Sequence, residues 1–358
     1  MLTMPRKLYI KLIYTRMIIL LLILIFTLIF TLLTACSGGY GDEKHVLDIE
    51  FHKGTNGVDF DIIGLMPEIY EDTAFKLAVN IFNKGAYDIL PGQGYVNINL
   101  ERDYMCLSDP GAKQCSDGTD TIRMLGESLQ EQQLKGKSMA NPPGDFELIE
   151  YYVLTRPIDK QSFEHTSNIG VSACYQYKTD LITEVCIDPF FYELGVIEKP
   201  CKVESKSFSG QGAPLAITKI ETQMLSEGKN SVRPMFIITL QNSGNGEVIH
   251  KDMIDKVCTS SHLPSNAFNV IHLKSVEFLN GVYKFDRDDE NSNIECTFSN
   301  KQKETKLKNR KAEIKCITKQ PITADIGTIS TQMKIVVDYG YTLSKSQQIK
   351  IKRFGTYG

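Results

Sequence analysis

Apolar and polar residues alternate with a period of two along much of the chain, the spacing of half-buried β-strands. Phe75, Leu77, Val79 and Ile81 share one face of a predicted strand against Lys76, Ala78 and Asn80, and the run breaks at Asn83-Lys84-Gly85. Phe236, Ile238 and Leu240 repeat the pattern against Ile237, Thr239 and Gln241, and that run ends at Asn242-Ser243-Gly244. Asn and Gly tolerate the positive φ expected of a tight exit. Near the end of each half, Ile169, Val171, Ala173, Tyr175 and Tyr177 line one face of a strand, as do Met333, Ile335, Val337, Tyr339 and Tyr341. A turn around Asp180 and another at Ser344-Lys345-Ser346 would fold each into a closing hairpin. The first would oppose Cys174 to Cys186 and Tyr175 to Val185; the second would oppose Tyr339 to Ile351 and Tyr341 to Ile349.

These signals recur in the same order, from Asn83 to Tyr177 and from Asn242 to Tyr341, which marks an internal duplication. The expected fold is mainly β: an N-terminal hydrophobic helix, then two antiparallel β-sandwich domains at residues 49–200 and 201–358, with the boundary near Lys199-Pro200-Cys201. A tyrosine near the end of the penultimate strand resembles the tyrosine corner of immunoglobulin-like sandwiches. The strand that ends in Asn-x-Gly resembles prokaryotic surface modules of the CARDB-type immunoglobulin-like class. That resemblance covers residues 49–353 and implies tandem immunoglobulin-like domains. Two stretches exceed a minimal sandwich. Residues 103–145 hold Cys106, Cys115 and a predicted short helix over 127–134, and residues 247–268 hold a predicted helical turn over 250–258. Loops at sandwich ends carry binding in many proteins, so both are candidate contact surfaces.

Residues 17–35 form an uncharged, almost wholly apolar run preceded by Arg6, Lys7, Lys11 and Arg16 and ending in Leu33-Thr34-Ala35-Cys36. A basic region, an apolar stretch and small residues before a cysteine are the layout of a secretory signal. Leu-Thr-Ala-Cys resembles the lipobox of prokaryotic lipoproteins, which implies lipidation of Cys36 and cleavage before it, with residues 1–36 as signal peptide. About 20 apolar residues at 1.5 Å rise also span a hydrocarbon core of roughly 30 Å, so a retained transmembrane helix is the other leading outcome, ahead of an ordinary cleaved and freely secreted product. In both, the cations before the run stay in the cytoplasm, residues 37–48 act as a flexible tether, and the remainder lies outside.

The cysteines fit that placement. Setting Cys36 aside for the anchor leaves eight of the nine: Cys106, Cys115, Cys174, Cys186, Cys201, Cys258, Cys296 and Cys316. An even number outside the cytoplasm reads as a disulfide framework. Hairpin register pairs Cys174 with Cys186; Cys296 with Cys316 and Cys106 with Cys115 are also expected, leaving Cys201 with Cys258 by exclusion. No Cys-x-x-Cys occurs and His45, His52, His165, His250, His262 and His272 are scattered singly, so neither a zinc site nor any cofactor is expected. Asp286, Asp288, Asp289, Glu290 and Asn291 resemble part of a calcium loop, yet Asn291 stands where an EF-hand needs Gly and Thr297 where it needs Glu. A solvated turn is the expectation, with calcium at 286–293 left open.

Composition narrows function by exclusion. The formal charge is −3, which is not a polyanion-binding balance. The basic stretch of Lys301, Lys303, Lys306, Lys308, Arg310 and Lys311 lacks aromatics for base stacking, so it reads as a hydrated hairpin tip and nucleic acid is not an expected partner. Trp is absent, which weakens a sugar-stacking role. Ser209-Gly210-Gln211-Gly212 is neither a Gly-x-Ser-x-Gly elbow nor a phosphate-cradling loop, and no catalytic residue is assigned. The expectation is a membrane-anchored, extracytoplasmic binding, adhesion or structural protein of the cell envelope, not an enzyme. The alternative, a solute-binding lipoprotein of a transport system, would require helices alternating with strands in two α/β lobes.

Overall fold

The computed structural model describes residues 51–116, 121–193, 198–259, 264–300 and 303–355. The apolar run at 17–35, Cys36, the tether at 37–48 and His45 lie outside the described residues, as do His262 and Lys301. The first half contributes β1 (Val58–Ile63), β2 (Glu68–Tyr70), β3 (Ala74–Asn83), β4 (Gly94–Leu100), β5 (Met105–Leu107), β6 (Ile122–Met124), β7 (Phe146–Thr155) and β8 (Glu164–Ile187). The second contributes β9 (Lys206–Ser207), β10 (Leu215–Ser226), β11 (Ser231–Asn242), β12 (Glu247–Ile249), β13 (Val270–Phe278) and β14 (Tyr283–Asp286). It continues with β15 (Ile294–Cys296), β16 (Thr305–Lys306), β17 (Lys311–Thr318), β18 (Ile322–Thr323) and β19 (Ile329–Lys352). The fold is mainly β, and its ladders are antiparallel apart from β2, which joins β19 in parallel.

The strands build three sheets, ordered β1-β3-β7-β5, β15-β17-β11-β10-β9 with β18 on β11, and β14-β13-β19-β8-β4-β6 with β2 and β12 on β19 and β16 on β13. The alternation in the sequence sets which faces are buried. Phe75, Leu77, Val79 and Ile81 on β3, and Phe236, Ile238 and Leu240 on β11, all point into the core. The same holds for Ile169 through Tyr177 at alternate positions on β8 and Met333 through Tyr341 on β19. Both smaller sheets cover one side of the nine-stranded sheet. The N–H of Val58, at the start of β1, donates to the Tyr175 hydroxyl at 3.0 Å, and that of Leu215, at the start of β10, to the Tyr339 hydroxyl at 3.4 Å. The result is a β-sandwich-like body with one continuous core.

The expected closing hairpins are not formed. β8 and β19 each run unbroken for 24 residues. They pair with one another from Glu164 opposite Lys352 to Ile187 opposite Ile329, which sets Tyr175 opposite Tyr341 and Tyr177 opposite Tyr339. Lys345, read as a turn residue, is instead in mid-strand, where its ammonium bridges Asp59 at 2.9 Å and Asp61 at 3.3 Å on β1. Two halves that share their longest ladder do not pack separately. Residues 50–358 form one compact unit, so the division at 200/201 separates halves of a continuous sheet and not two independent domains.

The disulfides follow from this change. Cys106 pairs with Cys115 and Cys296 with Cys316, as expected. Cys174 and Cys186, however, lie twelve positions apart on one extended strand, roughly 40 Å at about 3.3 Å per residue, far beyond bridging range. Cys174 instead pairs with Cys258 and Cys186 with Cys201, with Cα separations of 5.7 and 5.8 Å. The Cys174–Cys258 bond pins the short helix Ile254–Thr259 to the outer side of the nine-stranded sheet, where Cys174, Ile249, Ile254 and Cys258 form a second small core. The predicted helical turn over 250–258 is thus realised, as a 3₁₀ turn at Lys251–Met253 running into that helix. The predicted helix over 127–134 is not. Only a 3₁₀ turn at Gln130–Gln132 forms, because Glu131 adopts φ 65°.

Candidate functional site

The centre of the molecule is a cluster of four tyrosines from the β8–β19 ladder. The Tyr177 hydroxyl donates to Asn83 Oδ1 at 3.1 Å and accepts from the N–H of Tyr87. The Tyr341 hydroxyl donates to Asn242 Oδ1 at 3.2 Å and accepts from the N–H of Gly246. Asn83 Nδ2 then donates to the carbonyl of Tyr87, and Asn242 Nδ2 to that of Gly246. The two Asn-x-Gly signals and the two tyrosines are therefore one duplicated device. The glycines have a different role from the one expected, since neither Gly85 nor Gly244 has positive φ. A Cβ on Gly85 would collide with the Tyr177 hydroxyl, and one on Gly244 would lie 2.5 Å from that of Tyr341. Burial raises all four phenols, Tyr175 and Tyr339 well above the ordinary value and Tyr341 up to about 12. They are neutral hydrogen-bonding groups at physiological pH and not bases.

β4 stops pairing with β8 at Gly94 opposite Tyr175. Beyond that point β8 has an open edge, and a cleft of about 630 Å³ opens there with Tyr87, Tyr177 and Tyr339 in its wall. Its polar lining mixes signs: Lys178, Lys251 and Lys274 against Asp88, Asp180 and Asp338. Lys251 and Asp338 approach to 3.7 Å, and Lys178 lies over the Tyr87 ring at 5.3 Å. Asp180 holds the Tyr87 hydroxyl through its backbone, with the Asp180 N–H donating at 2.9 Å and its carbonyl accepting at 3.2 Å. Its side-chain Oδ1 is buried without a hydrogen-bond partner, while Lys178, Lys251 and Lys274 bring ammonium donors to the cleft. Such a surface suits a polar ligand that carries both donors and acceptors.

A smaller cleft of about 260 Å³ shares Lys251, Lys274 and Asp338 with the first and reaches His272. Around His272 the structure gathers residues that the sequence leaves scattered. His250, at the end of β12, His272, on β13, and Glu304, beside β16, bring one donor atom each to within 4.8 Å of one another. His250 Nε2 contacts Glu304 Oε1 at 3.1 Å, while its Nδ1 accepts from the N–H of Asp252. Asn300 Nδ2 donates to the other Glu304 oxygen at 2.7 Å. Burial raises the Glu304 carboxyl, but hydrogen bonds from Asn300 and His250 and the charge of Arg287 outweigh it and leave the group below its usual range. His272 is 1% exposed, touches the Arg287 guanidinium through Nδ1, and has no partner for Nε2.

The other sequence candidates take structural roles. Asp286 and Asp289 turn their Oδ1 atoms to the N–H groups of Asp288 and Asn291, and Asp289 pairs with Lys284 at 2.9 Å, as in a solvated turn. In the basic stretch, Lys303 donates to the carbonyl of Arg287, and the Arg310 guanidinium donates to the carbonyls of Asn242 and Gly244. Asn309 and Arg310, both with positive φ, make the tight turn into β17. The two insertions meet at a further cleft, of about 340 Å³, where Cys106 and Cys115 face Thr259. Among the described residues no helix is long and apolar enough to cross a membrane.

No family model matches the chain, and no curated protein matches it. Among solved structures, one titled "AvmM Catalyzes Macrocyclization in Alchivemycin A Biosynthesis" is 10% identical, with a TM-score of 0.21 over 34% of this chain and 75% of that one. A likeness at that score carries no argument about fold or activity.

Proposed function

We propose that the protein is a membrane-tethered, extracytoplasmic binding or structural protein of the cell envelope, built from two halves on the immunoglobulin-like plan and held to the membrane through Cys36 or a retained helix. It acts by binding rather than by chemistry, with the cleft at the open edge of β8 as its ligand-contact surface. The observation that carries this reading is the set of four disulfides in a mainly β body, a framework that persists in oxidising compartments. The basic-then-apolar N-terminus ending in Leu-Thr-Ala-Cys supplies the export signal. The transport-lipoprotein alternative would need amphipathic helices in two α/β lobes, whereas the described residues hold one six-residue α-helix.

Fractionation of cells expressing the full chain, with thiol alkylation before and after reduction, tests the placement. Recovery in membranes with eight cysteines reactive only after reduction is expected, and Cys36→Ser abolishes metabolic lipid labelling if the lipid is the anchor. A cytosolic product with freely alkylated thiols would overturn it.

A further inference from the structure

We propose that His250, His272 and Glu304 form a binding site for one divalent transition-metal ion, zinc in the first instance. Two imidazoles and one carboxylate are a zinc donor set, whereas calcium and magnesium prefer all-oxygen shells. The three donor atoms lie within 4.8 Å of one another. In a tetrahedral site with Zn–N near 2.0–2.1 Å, neighbouring ligand atoms are about 3.4 Å apart. The 3.1 Å contact between His250 Nε2 and Glu304 Oε1 already has that spacing, and side-chain rotation has only to close the remainder.

A second observation points to a ligand independently of the spacing. His272 is almost fully buried, yet its Nε2 has no hydrogen-bond partner, a state unfavourable for a buried polar group that a metal bond would relieve. The outer groups are those that orient metal ligands. Asn300 holds the distal oxygen of Glu304 at 2.7 Å, and the Asp252 carboxylate lies 3.9 Å from His250 Nδ1. The smaller cleft, with Asp252 and Asp288 in its lining, gives an ion a route to His272. Three protein ligands leave a fourth position for water or an incoming donor.

The Arg287 guanidinium touches His272 Nδ1, and Lys251 and Lys274 line the same cleft. Loading then displaces Arg287 from Nδ1, places the His272 proton there and frees Nε2 for the ion. His250 shifts its proton from Nε2 to Nδ1, losing the hydrogen bond from the Asp252 N–H, and Nδ1–H turns to the Asp252 carboxylate. The ion would tie together β12, β13 and the segment before β16. This site does not depend on how the protein is anchored.

The test is equilibrium dialysis of the full, disulfide-intact chain, purified in detergent with a histidine-free tag, stripped by chelator and exposed to zinc chloride. One zinc per chain is expected. Glu304→Gln and His250→Gln should weaken binding at least ~10–100-fold, the loss that follows even from removing an outer-shell partner. Arg287→Gln should bind at least as tightly as the parent. Because His272 is buried, the two partly exposed positions carry the test should His272→Gln fail to fold, and disulfide mapping certifies each variant. No retained zinc, or zinc retained equally by parent, Glu304→Gln and His250→Gln, overturns the proposal.

Discussion

Single residues in this protein are decided by close approach more than by backbone conformation. Gly85 and Gly244 are required because a tyrosine hydroxyl occupies the space a side chain would take. Alanine at either position forces the phenol off Asn83 or Asn242, and overpacking of that kind costs about 1–3 kcal/mol. Gly170, in mid-strand on β8, has only ordinary contact around an added Cβ. There alanine should be neutral or stabilise by up to about 1 kcal/mol, since it restricts the unfolded chain. Urea unfolding of the oxidised protein should rank the three in that order, and a Gly170→Ala loss as large as that of Gly85→Ala would contradict the steric account. The Asn83–Tyr177 and Asn242–Tyr341 correspondence was legible in the sequence as repeated signals at similar separation, although the hydrogen bond joining each pair was not.

At the scale of elements, what was local in sequence was readable and what was paired at long range was not. The alternation in β3 and β11 announces buried faces because a strand repeats every two residues regardless of its partner. Asp180 and Ser344-Lys345-Ser346 read as turns because their residue types favour turns, but pairing with a strand far away in sequence overrides that preference. The cysteines follow the same rule, since a Cys174–Cys186 bridge needs a local hairpin where the chain forms the long-range β8–β19 ladder. His250, His272 and Glu304 were invisible for the related reason that three elements bring them together and no short spacing marks them. The corrected pairing has an energetic signature. Cys174–Cys258 spans 84 positions and Cys106–Cys115 spans 9. Loop-closure entropy therefore predicts losses of about 4.5 and about 2.5 kcal/mol when each pair is replaced by alanines. Denaturant midpoints measure the difference, and peptide mapping without reduction that links Cys174 to Cys186 would refute the scheme.

For the whole molecule, the β8–β19 ladder makes the halves one cooperative body. Tyr341→Ala should cost on the order of 3–5 kcal/mol, as large aromatic deletions in cores do, and the loss should spread. Tyr341 faces Tyr175 across the ladder, and their ring centroids are 5.8 Å apart. Hydrogen exchange should therefore quicken in β1, β3 and β4 as well as in β11 and β13. Loosening confined to the second half would mean that the halves are independent after all. The ladder also carries a symmetry: Tyr175 meets Tyr341 and Tyr177 meets Tyr339, while the duplicated signals equate Tyr177 with Tyr341. Each half thus presents to the other the edge that it receives, which is how identical subunits meet across an isologous two-fold contact. Joining the partners through residues 188–205 makes their association indifferent to dilution, because the local concentration of the partner strand is fixed by the connection. It also lets each half change without its twin, and His250, His272 and Glu304 all belong to the second. The chain is in effect a dimer whose subunits cannot part and need no longer be alike.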